Sequence, residues 1–236
     1  MTSRTRGAVA GAAVLAAIAL FLGLGVWQVE RRAWKLDLIA RVEARLAADP
    51  VPAPGPDAWR GLTRAADEYR RVEATGRFLH DRETAVLAVT EAGRGYWIVT
   101  PLATRDATIL VNRGFVPADR RDPATRPAGQ AEGEVRVAGL LRLGEPGGGF
   151  LRANDPARDR WFSRDVAAIA AARGVLDPAP YFIDADATPN PGGLPLGGLT
   201  VVRFRNAHLG YALTWFALAA GLAALALYAR RRPPGG

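Results

Sequence analysis

The sequence predicts a membrane protein of the α+β class, in which two transmembrane helices flank one antiparallel β-rich extracytoplasmic domain. Three observations carry this reading. Two uncharged apolar runs, Gly7 to Val29 and Leu209 to Ala229, lie towards opposite ends of the 236-residue chain. Each makes a helix of roughly 30 Å or more, enough to cross a bilayer. Between them, short strand-like runs alternate with segments rich in Gly and Pro.

The first run reads as an uncleaved anchor. It is long for a signal core, and Trp27-Gln28 replaces a small-residue cleavage site. The expected organisation is a cytoplasmic N-terminus (1–6), a first span (7–29), an extracytoplasmic domain (30–208), a second span (209–229) and a cytoplasmic C-terminus (230–236). Arg4 and Arg6 at one end, with Arg230, Arg231 and Arg232 at the other, favour cytoplasmic termini. These five arginines account for most of the net charge of +8. The domain between the spans is close to charge balance, so nothing points to a nucleic-acid groove. Cysteine is absent, which excludes disulfides and thiolate chemistry, and His80 and His208 are the only histidines.

The elements follow in order. Leu38, Val42 and Leu46 recur at helical spacing, so Asp37 to Ala48 extends the first span as an amphipathic helix. Pro50, Pro52, Pro54 and Pro56 end it. Strands are expected over Arg70–Thr75, Thr84–Thr90, Tyr96–Leu102, Thr108–Phe115, Glu134–Leu143, Tyr181–Asp184 and Leu199–Phe204. A turn at Gly93–Gly95 separates the second and third, and Thr100-Pro101 is expected to close the third. Thr108–Phe115 is apolar enough for burial on both faces. A short helix is expected over Asp165–Arg173, with Ser163 as N-cap and Gly174 as its stop. Strands joined by short turns form an antiparallel sheet that can curl into a barrel.

Enzymatic motifs are missing. Ser3 and Ser163 are the only serines and neither sits in a nucleophile elbow. Gly147-Gly148-Gly149 lacks the Lys-Ser/Thr ending of a phosphate loop. The carboxylate pairs Asp184/Asp186 and Glu132/Glu134 read as solvated turn residues, and His80 as a surface turn residue.

His208 opens the second span. His208, Tyr211 and Trp215 share one helical face. Two readings fit. These residues are at home at headgroup depth as an interfacial anchor. From the residues alone the anchor is the first reading, and the second is that a neutral imidazole in a half-apolar setting is a good axial ligand for haem iron. Aromatic rings can then sandwich the macrocycle, and Arg203 or Arg205 can pair with its propionates. The end of the first span carries a matching cluster, Trp27, Gln28, Arg31 and Trp34, at the same outer boundary. It forms either an aromatic belt with snorkelling arginines or one wall of a shared interfacial pocket.

Several segments, in order along the chain, carry a resemblance to one family. They are Gly25-Val26-Trp27-Gln28 with Arg31, Trp34 and Lys35; Gly95-Tyr96-Trp97-Ile98-Val99-Thr100-Pro101-Leu102; Leu110-Val111-Asn112-Arg113-Gly114-Phe115-Val116-Pro117; Gly139-Leu140-Leu141-Arg142; Trp161-Phe162-Ser163-Arg164-Asp165; Tyr181-Phe182-Ile183-Asp184; and Asn206, His208-Leu209 and Tyr211-Ala212-Leu213-Thr214-Trp215. Together they resemble the Surfeit-locus cytochrome c oxidase assembly factor family, as a bacterial member. The resemblance implies a non-enzymatic assembly factor in the bacterial plasma membrane with a periplasmic domain. It implies transient binding of haem a, with haem a synthase and the catalytic oxidase subunit as partners. Trp27, Gln28, Arg205, His208, Tyr211 and Trp215 are the candidate haem-binding residues, and His208 the axial ligand. The alternative is a membrane scaffold that stabilises the oxidase subunit and never binds haem. Within the domain, Gly114 is expected to permit a bend or close approach, and Arg113 to be a buried ion-pair partner.

Overall fold

The computed structural model describes residues 3–149, 151–200, 202, 204 and 206–231. By contacts the chain forms two compact units, Met1–Arg41 with Arg203–Gly236, and Val42–Val202.

The first unit is helical. Helix α1 runs unbroken over Ser3–Ala47, so the apolar run and the amphipathic extension are one helix. The C-terminal helix, His208–Arg231, begins at the candidate ligand itself. Both are long and apolar enough to cross a membrane.

The second unit is the β domain. Its strands are β1 (Val51–Pro52), β2 (Arg71–Phe78), β3 (Thr84–Thr90), β4 (Gly93–Ala103), β5 (Thr108–Pro117), β6 (Val135–Leu143), β7 (Gly148–Gly149), β8 (Arg152–Ala153) and β9 (Pro178–Ala185). Strand β2 pairs β6, β6 pairs β9, β9 pairs β5 and β5 pairs β4. Strand β4 returns to β2 through Leu102–Phe78 and Ala103–Arg77, which closes a five-stranded barrel. Val72, Leu102, Ile109, Val111, Leu141, Tyr181 and Ile183 fill its interior. The proline-rich segment covers one part of this core: Trp59 Nε1 and Tyr181 Oη both donate to the Pro54 carbonyl at 2.9 Å. Outside the barrel, helix α2 (Arg64–Asp67) is a single turn, whereas helix α3 (Val166–Ala172) packs Val166 and Ile169 against Val99, Leu110, Phe182 and Trp161.

Several expectations change. The β5–β9 and β1–β2 pairs are parallel, within a sheet that is otherwise antiparallel. Gly93–Gly95 lies inside β4, because Glu91-Ala92 makes the turn and β4 packs so closely on β5 that a Cβ at Gly95 would overlap the Val116 carbonyl. Thr100-Pro101 is interior to β4, where the Pro101 carbonyl still accepts from Leu79 N. Asp165, not Ser163, caps α3 by accepting from Ala168 N; the Ser163 hydroxyl donates instead to the Glu145 carbonyl. Leu199, Thr200, Val202 and Phe204 carry no strand, and Val201 and Arg203 lie outside the described residues. Leu196, just upstream, is the residue that bridges Phe115.

Strand β5 is buried on both faces, as expected. Between Ile98 and Val99 its register with β4 slips, leaving Arg113 as the extra residue of a β-bulge. Gly114 follows with φ +129°, and a Cβ there would overlap the Leu196 backbone. The expected close approach is therefore real, and only glycine permits it.

Candidate functional site

The helical unit brings the two candidate clusters together. Phe21, Gly25 and Gln28 stand at i, i+4 and i+7 on α1, and so share a face. His208, Ala212, Trp215, Phe216 and Ala219 do the same on the C-terminal helix, α4. Ala212 and Ala219 are buried, small residues where the helices approach. Phe21 stacks on Trp215 with centroids 5.7 Å apart. A Cβ at Gly25 would overlap the Phe216 ring, so glycine sets the local approach of the helices. One turn further along α1, Gln28 Oε1 lies 2.7 Å from His208 Nδ1. Gln28 is only 9% exposed, and His208 is half-buried.

An amide oxygen can only accept, so in this pairing Nδ1 is the donor, and the tautomer of a neutral imidazole that fits it leaves the lone pair on Nε2. That donor suits one axial bond to haem iron. It does not suit a closed protein cage, since no group of three or more His, Cys, Asp or Glu side chains gathers among the described residues.

The other candidates divide. Trp215 is half-buried through its stacking on Phe21. Trp27 and Tyr211 are 53% and 59% exposed, so neither is packed into the helix–helix contact. Tyr211 thus departs from the buried face that His208 and Trp215 share. Arg205 lies outside the described residues. Arg31 covers the Trp34 ring at 3.9 Å, a cation–π pair on α1. Phe21 and Phe216 give no contrast in the sequence, as apolar residues inside apolar runs, whereas Gly25 stands in the Gly25-Val26-Trp27-Gln28 segment that carries the resemblance.

The β domain holds a second polar cluster. Asp184, 1% exposed, accepts from Asn112 Nδ2 at 2.7 Å and from Arg142 Nη1 and Arg164 Nη1 at 2.9 Å each. Arg142 also pairs with Glu68 at 2.8 Å, and Arg164 with Glu145 at 2.7 Å. Burial alone would raise the Glu145 carboxyl, but hydrogen bonds and charge from Arg164 hold it below its usual range. Asp184 is thus a buried, fully paired carboxylate and not a solvated turn residue. With every partner engaged, the cluster ties β6, β9 and the Arg164 loop together and reads as structural.

Arg113 is 1% exposed but forms no ion pair among the described residues. It donates to the Gly129 carbonyl and lies over the Phe78 ring at 4.7 Å, while nearby Glu83 pairs with Arg126. Burial pushes its guanidinium down to about 10. The bulge leaves Arg113 buried beside Glu83, whose carboxylate favours its charge but pairs with Arg126. His80 is half-buried, its Nε2 2.9 Å from the Ala131 carbonyl, and so is not a plain surface residue.

The SURF1 family model matches residues 15–220. The chain belongs to the SURF1 family. Surfeit locus protein 1 of Rattus norvegicus is 41% identical over 231 residues, covering 89% of this chain and 73% of the relative. Its Homo sapiens counterpart is 43% identical over 217 residues, covering 84% and 70% respectively. A SURF1-like protein of Monosiga brevicollis is 40% identical over 239 residues, covering 93% and 87%. The family match takes in α1 from residue 15, the barrel and the C-terminal helix as far as residue 220, a span that includes Gln28 and His208.

Proposed function

We propose that this SURF1-family chain is an assembly factor for haem–copper cytochrome c oxidase. It holds haem a as cargo at the helix pair and passes it to the catalytic subunit. The observation that carries this reading is the His208–Gln28 pair, which leaves one imidazole nitrogen as an iron ligand at the end of an apolar helix. The chain turns over no substrate; it binds and releases.

Each residue has a proposed part. His208 supplies the axial bond. Trp27 and Tyr211, exposed beside the pair, offer aromatic surface to the macrocycle, and the stacked Trp215 and Phe21 form a rigid wall. Arg205 pairs with a propionate. Haem a synthase is the donor. The protein sits in a bacterial plasma membrane with both termini cytoplasmic and the barrel periplasmic, consistent with two helices long enough to span.

The scaffold reading separates cleanly from this one. In a strain lacking the gene, complemented with wild type or His208→Ala, both the catalytic subunit and its haem a are measured in membranes. The carrier reading predicts that His208→Ala leaves the assembly factor abundant but lowers haem a per catalytic subunit at least tenfold. Full haem a loading with His208→Ala would favour the scaffold.

A further inference from the structure

We infer that Gln28 is a positioning residue for His208: it selects the imidazole tautomer that leaves Nε2 free to bind iron. This rests on the haem reading above. The contact joins residues 180 apart in sequence and crosses from one helix to the other. It is therefore not a local turn bond, and its geometry depends on helix register. That register is held by Phe21 on Trp215 and by the space Gly25 leaves for Phe216, two turns and one turn before Gln28. Gln28 is 9% exposed, so water competes poorly for its carbonyl.

The choice of an amide matters. A ligating histidine is oriented by the acceptor on its other nitrogen, and a more basic acceptor makes a stronger ligand. A carboxylate would pull the Nδ1 proton and push electron density onto iron. A neutral amide fixes orientation without that push. This suits a ligand that has to let go of its cargo.

The molecule contains its own control. His80 faces the Ala131 carbonyl through Nε2, so its proton sits on Nε2, the nitrogen left bare in His208. With only these two histidines in the chain, a 15N-histidine spectrum contains two ring patterns.

The test uses the full chain in mild detergent, labelled with 15N-histidine, without haem and at alkaline pH, with His80→Gln for assignment. We expect His208 to show a protonated Nδ1 and a bare Nε2, and His80 the reverse. Gln28→Met should convert His208 to a tautomer mixture, whereas Gln28→Glu should keep the Nδ1–H pattern. With haem a, Gln28→Met should weaken binding about 10- to 100-fold. Gln28→Glu should retain binding and lower the reduction potential of the haem.

An Nε2–H tautomer in the wild type overturns the inference without any variant. So does wild type that binds haem a while Gln28→Met binds it equally well with an unchanged spectrum; the carrier reading then survives. A folded wild type that binds no haem a removes the carrier reading and this role with it, even if the tautomer is as expected.

Discussion

At the scale of single residues, two glycines and one aspartate carry the most. Gly25 faces the Phe216 ring without room for a Cβ. Gly25→Ala is expected to cost about 1–3 kcal/mol through overpacking and to release haem a faster. Adding Phe216→Leu should restore much of the loss; haem off-rates of the single and double variants check this. Gly114 combines φ +129° with a backbone contact to Leu196. Gly114→Ala therefore faces both strain and overlap, and should destabilise by more than about 2 kcal/mol. The protein's level in membranes should fall, where His208→Ala leaves it unchanged. Equal losses for both variants would contradict the division between a folding residue and a ligand. Asp184→Ala strands two arginines in a buried site and should cost about 3–5 kcal/mol, read as a drop in the thermal midpoint.

At the scale of elements, legibility followed locality. Strand β3 was legible to its ends, Thr84–Thr90, because alternation and flanking turns are local. Strand β5 was legible as doubly buried, because Ile109, Leu110 and Val111 leave no polar face. The parallel β5–β9 pair and the Leu196–Phe115 bridge were not, since each joins segments about 70 to 80 residues apart and no local pattern records partner or direction. The two clusters of the site were legible as lying at one boundary of the spans. Their pairing was not: which face of α1 meets which face of α4 depends on Gly25, Ala212 and Ala219, small residues that hydropathy does not distinguish. The cap of α3 offers an element-scale check. Asp165→Ala removes the acceptor for Ala168 N and should cost about 1 kcal/mol, whereas the Ser163 side chain holds the adjacent loop instead.

At the scale of the whole molecule, a β unit with its own core is joined to a helix pair that holds the His208–Gln28 contact. The β unit closes its barrel within Val42–Val202 and holds Asp184 and Glu145 in ion pairs with Arg142 and Arg164. Its stability should depend on acid in one direction. The Glu145 carboxyl titrates lower in the folded chain than in the unfolded one. Its contribution is thus complete above the ordinary carboxylate range and is lost as pH falls through the folded value. Thermal midpoints should decline on acidification below about pH 4, and Glu145→Gln should flatten that decline; an unchanged slope would contradict the Arg164–Glu145 account.

The central claim is that the helix pair carries haem a through His208. The most direct measurement is haem a per protein by pyridine haemochrome, after co-expression with a haem a synthase and purification in mild detergent, for wild type and His208→Ala together. The account predicts near-stoichiometric haem a in the wild type and little in a His208→Ala protein with unchanged fold. Equal haem a in both, or none in a folded wild type, would contradict it.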